Sequence, residues 1–328
     1  MDKALQHPFE ALTPDVLIDA VESQRLACDG RFLALNSYEN RVYQVGVSDA
    51  EPMIVKFYRP QRWSDEQIQE EHEFCFQLAD RELPVVAPWI NGEGQSLHYY
   101  GNYRFALFAR RGGHAPEFDN RDNLKTLGRV LGRIHGVGST HAYRERPQLD
   151  VERWGWRSYE LISKDFMAPE LQLAYDTLAQ DVLRKIEQHV ADYGPISRIR
   201  VHGDCHVGNI LWRDHNPHFV DFDDSCMAPA IQDLWMFLSG DRHAQSQQMR
   251  ELLKGYTEFC EFDGRQLALI EVLRTLRIMH HSAWIAKRWD DPAFPRAFSW
   301  FGSIRDWSEH ILTLREQLAA LDEPLLDI

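Results

Sequence analysis

Between Val201 and Asp224 the chain reads VHGDCHVGNILWRDHNPHFVDFDD, gathering five carboxylates, four histidines, two asparagines and a cysteine into twenty-four positions. Three arrangements could produce that density: a metal centre, removal of a proton beside a charged phosphate, or a solvated loop with no chemistry. His202, Cys205 and His206 are ligand types that zinc accepts, but a structural zinc site takes four, and no fourth Cys or His follows at a usual spacing. A solvated loop fits poorly, because NILW and HFVDF are apolar strand-like runs with carboxylates at their ends.

Phosphoryl transfer asks for positioning, neutralised phosphate charge and a base near the acceptor hydroxyl. His202-Gly203-Asp204, four residues and then Asn209 has the spacing of a kinase catalytic loop, in which the aspartate takes the hydroxyl proton and the asparagine, five on, binds magnesium. A turn at Asp214-His215-Asn216-Pro217 would return Asp221-Phe222-Asp223 beside Asn209 as the source of the metal carboxylate. Magnesium prefers hard oxygen ligands and keeps some waters, so one Asn, one Asp and the nucleotide phosphates suffice.

Positioning these groups needs a scaffold. Thr13-Pro14-Asp15 predicts an N-cap with proline at the first helical position, and a short helix through Ser23. RFLALN, NRVYQVGV and PMIVKFY predict an antiparallel meander, and in the third run Met53, Val55 and Phe57 share a face while Lys56 points to the other. From Asp65 the period changes to helical, with Ile68, Cys75, Phe76 and Ala79 on the apolar stripe and Glu70, Glu71 and Glu73 off it. SLHYYGNYRFALFAR predicts a hairpin turning at Gly101-Asn102. Arg111-Gly112-Gly113 then breaks the chain into a nucleotide-binding lobe, 1–112, and a catalytic and substrate lobe, 113–328. Beyond the break, Leu124, Leu127, Leu131 and Ile134 are spaced for a helix in which Gly128 and Gly132 admit a close neighbour. Helical periodicity recurs at 170–192, 229–239, 245–260, 264–288 and 303–321. The expected fold class is α+β: a small antiparallel β-sheet lobe with one packed helix, then a larger, mainly helical lobe.

Composition narrows the partners. The 50 acidic against 36 basic side chains, a formal charge of −14, set the chain against a phosphate backbone, so nucleic acid is not expected. Five cysteines, odd in number and without a C-x-x-C pair, suit a reducing compartment and write no disulfide framework. The opening MDKALQHPFEALTPDVL has no apolar core, and no later run approaches the ~20 residues of a membrane span, so a cytoplasmic monomer off the membrane is expected.

LNSYENRVYQ, VKFYRP, EEH, HGDCHVGNILWRD, FVDFDD, DLWM and DPAFP resemble the aminoglycoside phosphotransferase and choline kinase family of protein-kinase-like enzymes, a likeness covering nearly the whole chain. The resemblance implies a bilobal protein-kinase-like fold using ATP and magnesium. It implies Asp204 as catalytic base, Asn209 and Asp221 as magnesium ligands with Asp221 also counted in the chemistry, and Asp223 as a further ligand. Lys56 would contact the α- and β-phosphates, held by Glu71 from the following helix. LNSYENRVYQ is similar to a bacterial branch that phosphorylates serine and threonine in proteins and acts in stress responses. Two rivals stand beside it. One is a small-molecule kinase for an amino alcohol or aminoglycoside, since an acidic protein attracts a cation. The other is a nucleotide-binding pseudokinase scaffold, against which intact Lys56, Asp204, Asn209 and Asp221 argue.

Two departures from ordinary protein kinases matter. No glycine lies between Leu35 and Tyr43, so NSYENR is no glycine-rich flap, and backbone N–H groups or side chains at Ser37 and Asn40 are the expected phosphate contacts. Gly203 replaces the arginine of H-R-D and no A-P-E follows Asp223, so no phosphorylation switch is expected between Asp223 and Asp233. His135 reads as a packed helical histidine, Asp233 as a partner of the catalytic loop's backbone, and Cys205 and Cys226 as small buried side chains. WIAKRWDDPAFPRAFSWFGSIRDW reads as core, and HAYRERPQLDVERWGWRS as a surface loop.

Overall fold

Thr13 starts the first helix as its sequence predicts: its hydroxyl accepts from the Val16 N–H at 3.4 Å, and α1 runs Pro14–Glu22. The computed structural model describes residues 7–118 and 120–328. After α1 come β1 (Cys28–Ala34), β2 (Arg41–Val47), β3 (Met53–Phe57), α2 (Asp65–Ala79), β4 (His98–Tyr100) and β5 (Tyr103–Ala109). The five strands form one antiparallel sheet in the order β1-β2-β3-β5-β4. Alternation along β3 sends Val55 and Phe57 into a cluster with Leu17, Val21, Phe105 and Leu107 against α1. Each such burial contributes about 2 kcal/mol. Lys56, between Val42 and Ala106 in the ladder, faces the other side, where α2 lies. A capping box closes the start of α2: Ser64 Oγ accepts from Gln67 N at 3.2 Å, and Gln67 Oε1 accepts from Ser64 N at 2.9 Å.

The stripe of α2 differs from its apolar reading. Ile68, Glu71, His72, Phe74, Cys75 and Leu78 are the buried positions, and Phe76 and Ala79 are only partly covered. Glu71 sits on the buried face because two cations meet it there, an arrangement that hydrophobic spacing does not register.

The helical lobe follows with α3 (Arg121–Gly138), a π turn (Glu152–Trp156) running into α4 (Arg157–Asp165), and α5 (Gln172–Tyr193). Next come β6 (Ile199–Val201), β7 (Ile210–Arg213), β8 (Asn216–Phe219) and β9 (Cys226–Ala228), then α6 (Arg242–Tyr256), α7 (Ile270–Ala286), α8 (Ala293–Ala297) and α9 (Ile304–Ala320). Gly128 and Gly132 admit α6 as expected: a Cβ at either would lie 2.0 Å from Leu252 O or 2.5 Å from Tyr256 O. Two expectations fail. Residues 229–239 form two short 3-10 turns in place of a helix, because the Gln232 and Asp233 side chains bond to the backbone of the loop at 202–203. The stretch read as a surface loop contains the π turn and the start of α4, with Trp154 and Trp156 packed on the core and Arg146 buried.

The lobes meet at several points. Pro84–Val86 bonds to Phe219 of β8, and Asp291, 2 % exposed, pairs with Arg41 at 2.9 Å and Arg59 at 2.8 Å. Among the described residues no helix is long and apolar enough to cross a membrane, and all five cysteines are free thiols.

Candidate active site

Lys56 is the centre of the cleft between the lobes. Its Nζ lies 2.9 Å from Asp221 Oδ1, 3.0 Å from Asp223 Oδ1 and 3.5 Å from Glu71 Oε1, with Lys56, Asp223 and Glu71 all buried. Burial alone would lower the ammonium, but Asp221, then Asp223 and Glu71, outweigh it and hold Lys56 well above its ordinary value. Burial pushes the Glu71 carboxyl up to about 7 against the pull of Lys56. Arg146 lies 3.5 Å from Glu71 on its other side and donates to Gln67 O, Ser225 O and Asp223 O, so one guanidinium ties α2 to the segment after Asp221. Asp223 is opposed by burial yet kept well below the carboxylate range by Arg62, Lys56 and Arg146.

The loop from His202 to Asn209 is held from beneath by Asp233. Its carboxylate accepts from His202 N at 2.7 Å and Gly203 N at 2.9 Å, and also bonds His135 Nε2 at 3.0 Å, whose Nδ1 meets Tyr256 Oη at 3.0 Å. His135 is therefore a packed histidine, and Asp233 a positioning residue. Gly203 has φ +86°, and a Cβ there would lie 2.1 Å from Asp224 O, which is why this loop has glycine where H-R-D has arginine. Gly203→Ala is expected to cost about 1–3 kcal/mol. A thermal unfolding midpoint unchanged from the parent protein would contradict that.

Asp204 emerges from this loop with its side chain 24 % exposed. Arg277 Nη1 of α7 lies 2.5 Å from its Oδ1, and His206 Nε2 lies 3.4 Å from its Oδ2. Burial raises the carboxyl, but the His206 hydrogen bond and the Arg277 charge prevail and hold it well below the carboxylate range, so it is ionised at neutral pH. Asn209 Nδ2 donates to Asp204 O at 2.9 Å, while Asn209 O accepts from Val220 N at 3.1 Å. Those bonds and the β7–β8 hairpin bring Asp221 beside Asn209. Asp221 has φ +60° and ψ +67°, which turns its half-exposed carboxylate toward Lys56.

The loop 36–40 lies against the helical lobe. Tyr38 packs on Phe298 at 5.1 Å, and Glu39 meets Arg59 at 3.0 Å and Arg288 at 2.6 Å. Ser37 Oγ donates to Asn40 O at 3.3 Å. The Asn40 side chain points inward, donating to Asp223 Oδ2 at 3.1 Å and accepting from Arg59 N at 3.0 Å. Asp223 Oδ2 also takes Arg62 Nη1, so both of its oxygens are occupied. Arg62, Arg146 and Arg277 escape sequence reasoning as site groups. Their only sequence signal is being arginine, since Asp223, Glu71 and Asp204, which they meet in turn, lie 70 or more residues away. Ser225, the only hydroxyl between Asp223 and Asp233, is fully buried, donating to Val201 O and meeting Tyr143 Oη at 2.6 Å each.

A five-stranded sheet carrying a buried Lys–Glu pair, over a helical lobe carrying H-G-D, Asn and D-F-D, is the architecture of a kinase-like phosphotransferase. The Phosphotransferase enzyme family matches residues 31–270, and the chain belongs to that family. Stress response kinase A of Escherichia coli is 40 % identical over 321 residues, 98 % of this chain and 97 % of that one. The serine/threonine protein kinase RdoA of Salmonella typhimurium is 40 % identical over 322 residues, with the same coverage. Amicoumacin kinase, solved with AMP-PNP, Ca2+ and Ami, superposes with a TM-score of 0.72 at 19 % identity over 93 % of each chain, a likeness in fold. The bilobal α+β reading stands, and the chain is a phosphotransferase.

Proposed function

We propose that this chain transfers the γ-phosphate of ATP to serine or threonine hydroxyls of proteins, with magnesium, in the cell's response to stress. The bonded path from Asp204 through Asn209 to Val220 carries the transfer chemistry, because it ties a base to a metal-competent carboxylate and, through Asp221, to Lys56. The protein acceptor rests on 40 % identity to the serine/threonine protein kinase of Salmonella typhimurium, over 98 % of this chain.

Asn209 and Asp221 would supply two ligands to a metal here, with waters and phosphate oxygens making up the rest of the shell. The donor set suits magnesium. Asn209 spends its N–H on Asp204 O, which leaves its amide oxygen to bind, and Asp221 is half exposed with only one oxygen on Lys56. Bound there, magnesium would neutralise charge on the phosphates. Asp223 joins the ligands only if Arg62 or Asn40 releases an oxygen; in the conformation described it holds Lys56 and Arg62.

Lys56, kept in place by Glu71, would bind the α- and β-phosphates, exchanging contact with Asp221 for phosphate oxygens. Ser37 and backbone N–H groups near Asn40 would cover the phosphates, since the Asn40 amide itself is engaged inward. Asp204 would take the acceptor's proton as its oxygen bonds to the γ-phosphorus and ADP departs. Labelled ATP offered with protein acceptors and with small amino alcohols tests the reading, and label on protein serine or threonine is the expected result.

A further inference from the structure

Arg277, His281, Trp284 and Arg288 follow one another at spacings of four, three and four, so α7 and the turn after it present them on one stripe. At one end Arg277 meets Asp204. At the other, Trp284 Nε1 and Arg288 Nε reach Glu39 Oε2 of the β1–β2 loop at 2.5 and 2.6 Å. Eleven residues at 1.5 Å each separate the ends by about 16 Å, the length of about five extended residues. The stripe thus runs from the proposed base to the β1–β2 loop.

A second group of cations borders it. Around the Trp63 ring lie Arg146 at 4.7 Å, Arg62 at 5.0 Å and Arg153 at 6.0 Å, and Arg62 also holds Asp223 and Asp224. Trp154, next to Arg153, stacks on His280 of α7 at 4.7 Å. Burial, then the charges of Lys287, Arg153, Arg288 and Arg62, push His280 down to about 3, so a neutral ring with an unpartnered Nδ1 sits amid four cations. Arg62 and Arg288 are committed to carboxylates. Arg153 and Lys287 make no ion pair among the described residues, although Asp150 and Asp224 lie close enough to favour the charged form of Arg153. Burial first, and neighbouring cations with it, lower both groups. Like charges gathered in this way are unfavourable unless an anion offsets them, and in a chain of net charge −14 the gathering is a local exception.

Arg277 is paired with Asp204 and needs another anion only when it leaves that carboxylate. A general base works within about 2.6–3.2 Å of the proton it takes, and the guanidinium already occupies Asp204 Oδ1. An acceptor hydroxyl reaches that oxygen once Arg277 swings away, which its 35 % exposure permits. A carboxylate beside the hydroxyl supplies the partner that draws it off.

We infer that the acceptor is a serine or threonine in an acidic peptide, whose flanking carboxylates are taken by Arg277 near the base and by Arg153 of the π turn and Lys287 at the end of α7. This names the substrate class of the protein-kinase reading and rests on it. A polycationic acceptor would meet like charge at both places.

The test offers the full chain three pools of serine- and threonine-containing peptides with labelled ATP: flanks of Asp and Glu, neutral flanks, and flanks of Lys and Arg. The acidic pool is expected at about tenfold higher kcat/KM than the basic pool, a gap that narrows as salt rises. Lys287→Glu alone, where the side chain still reaches solvent, and together with Arg153→Glu, is expected to raise KM for acidic peptides and lower it for basic ones. That second gain cannot come from a misfolded protein. Equal labelling of the pools, or a basic preference, would overturn the inference and leave the protein-kinase reading standing. A double variant that keeps the acidic preference would overturn the assignment to Arg153 and Lys287. No label in any pool would overturn both readings.

Discussion

With Asp204→Asn, phosphoryl transfer falls by about 10²–10⁴-fold, the range expected when a general base is removed. Asparagine keeps the side chain's shape, and the loop carrying it is held by Asp233 through backbone N–H groups, so the fold persists. ATP should still raise the melting temperature of the variant, because the proposed nucleotide contacts lie at Lys56 and the loop at 37–40. Comparing initial rates and nucleotide-dependent melting curves of the two proteins checks both halves. A rate within threefold of the parent would remove Asp204 from the chemistry, and a collapsed melting curve would assign it a structural role.

Lys56→Met carries the second large effect, and it acts on stability and activity together. The ammonium is the common partner of Glu71, Asp221 and Asp223, and without it two buried carboxylates keep Arg146 and Arg62 as cations and the Asn40 amide as a neutral donor. Breaking a buried pair by removing one partner typically costs about 3–5 kcal/mol, since the charge left behind is uncompensated. The expected result is a lower unfolding midpoint, together with loss of the melting shift on adding ATP and magnesium. A variant that melts like the parent and still responds to ATP would show that Lys56 neither holds the cleft nor meets the phosphates.

Much of this arrangement was legible because it is local in sequence. His202, Asp204, Asn209 and Asp221 lie within twenty residues, and a hairpin is enough to fold the last back beside the third. Strand alternation placed Lys56 opposite Val55 and Phe57, and the spacing of Gly128 and Gly132 announced the close approach of α6. Glu71 was reached through family resemblance alone; hydrophobic spacing put it off the buried stripe, since only its tertiary partners make burial favourable. Arg62, Arg146 and Arg277 meet carboxylates far away in the chain, and no local pattern marks them. The segment 229–239 carries helical spacing but folds into 3-10 turns, because Gln232 and Asp233 bond to the backbone at 202–203. For Glu71 and for 229–239 a long-range polar contact overrides the local preference.

The most direct test of the central claim is transfer from γ-labelled ATP with magnesium, using the full chain, to a generic protein acceptor and separately to choline, homoserine and an aminoglycoside. The account predicts label on protein serine or threonine that vanishes with Asp204→Asn. Unlabelled protein, with ATP consumed only when a small amino alcohol is present, would contradict it and make the chain a small-molecule kinase on the same fold.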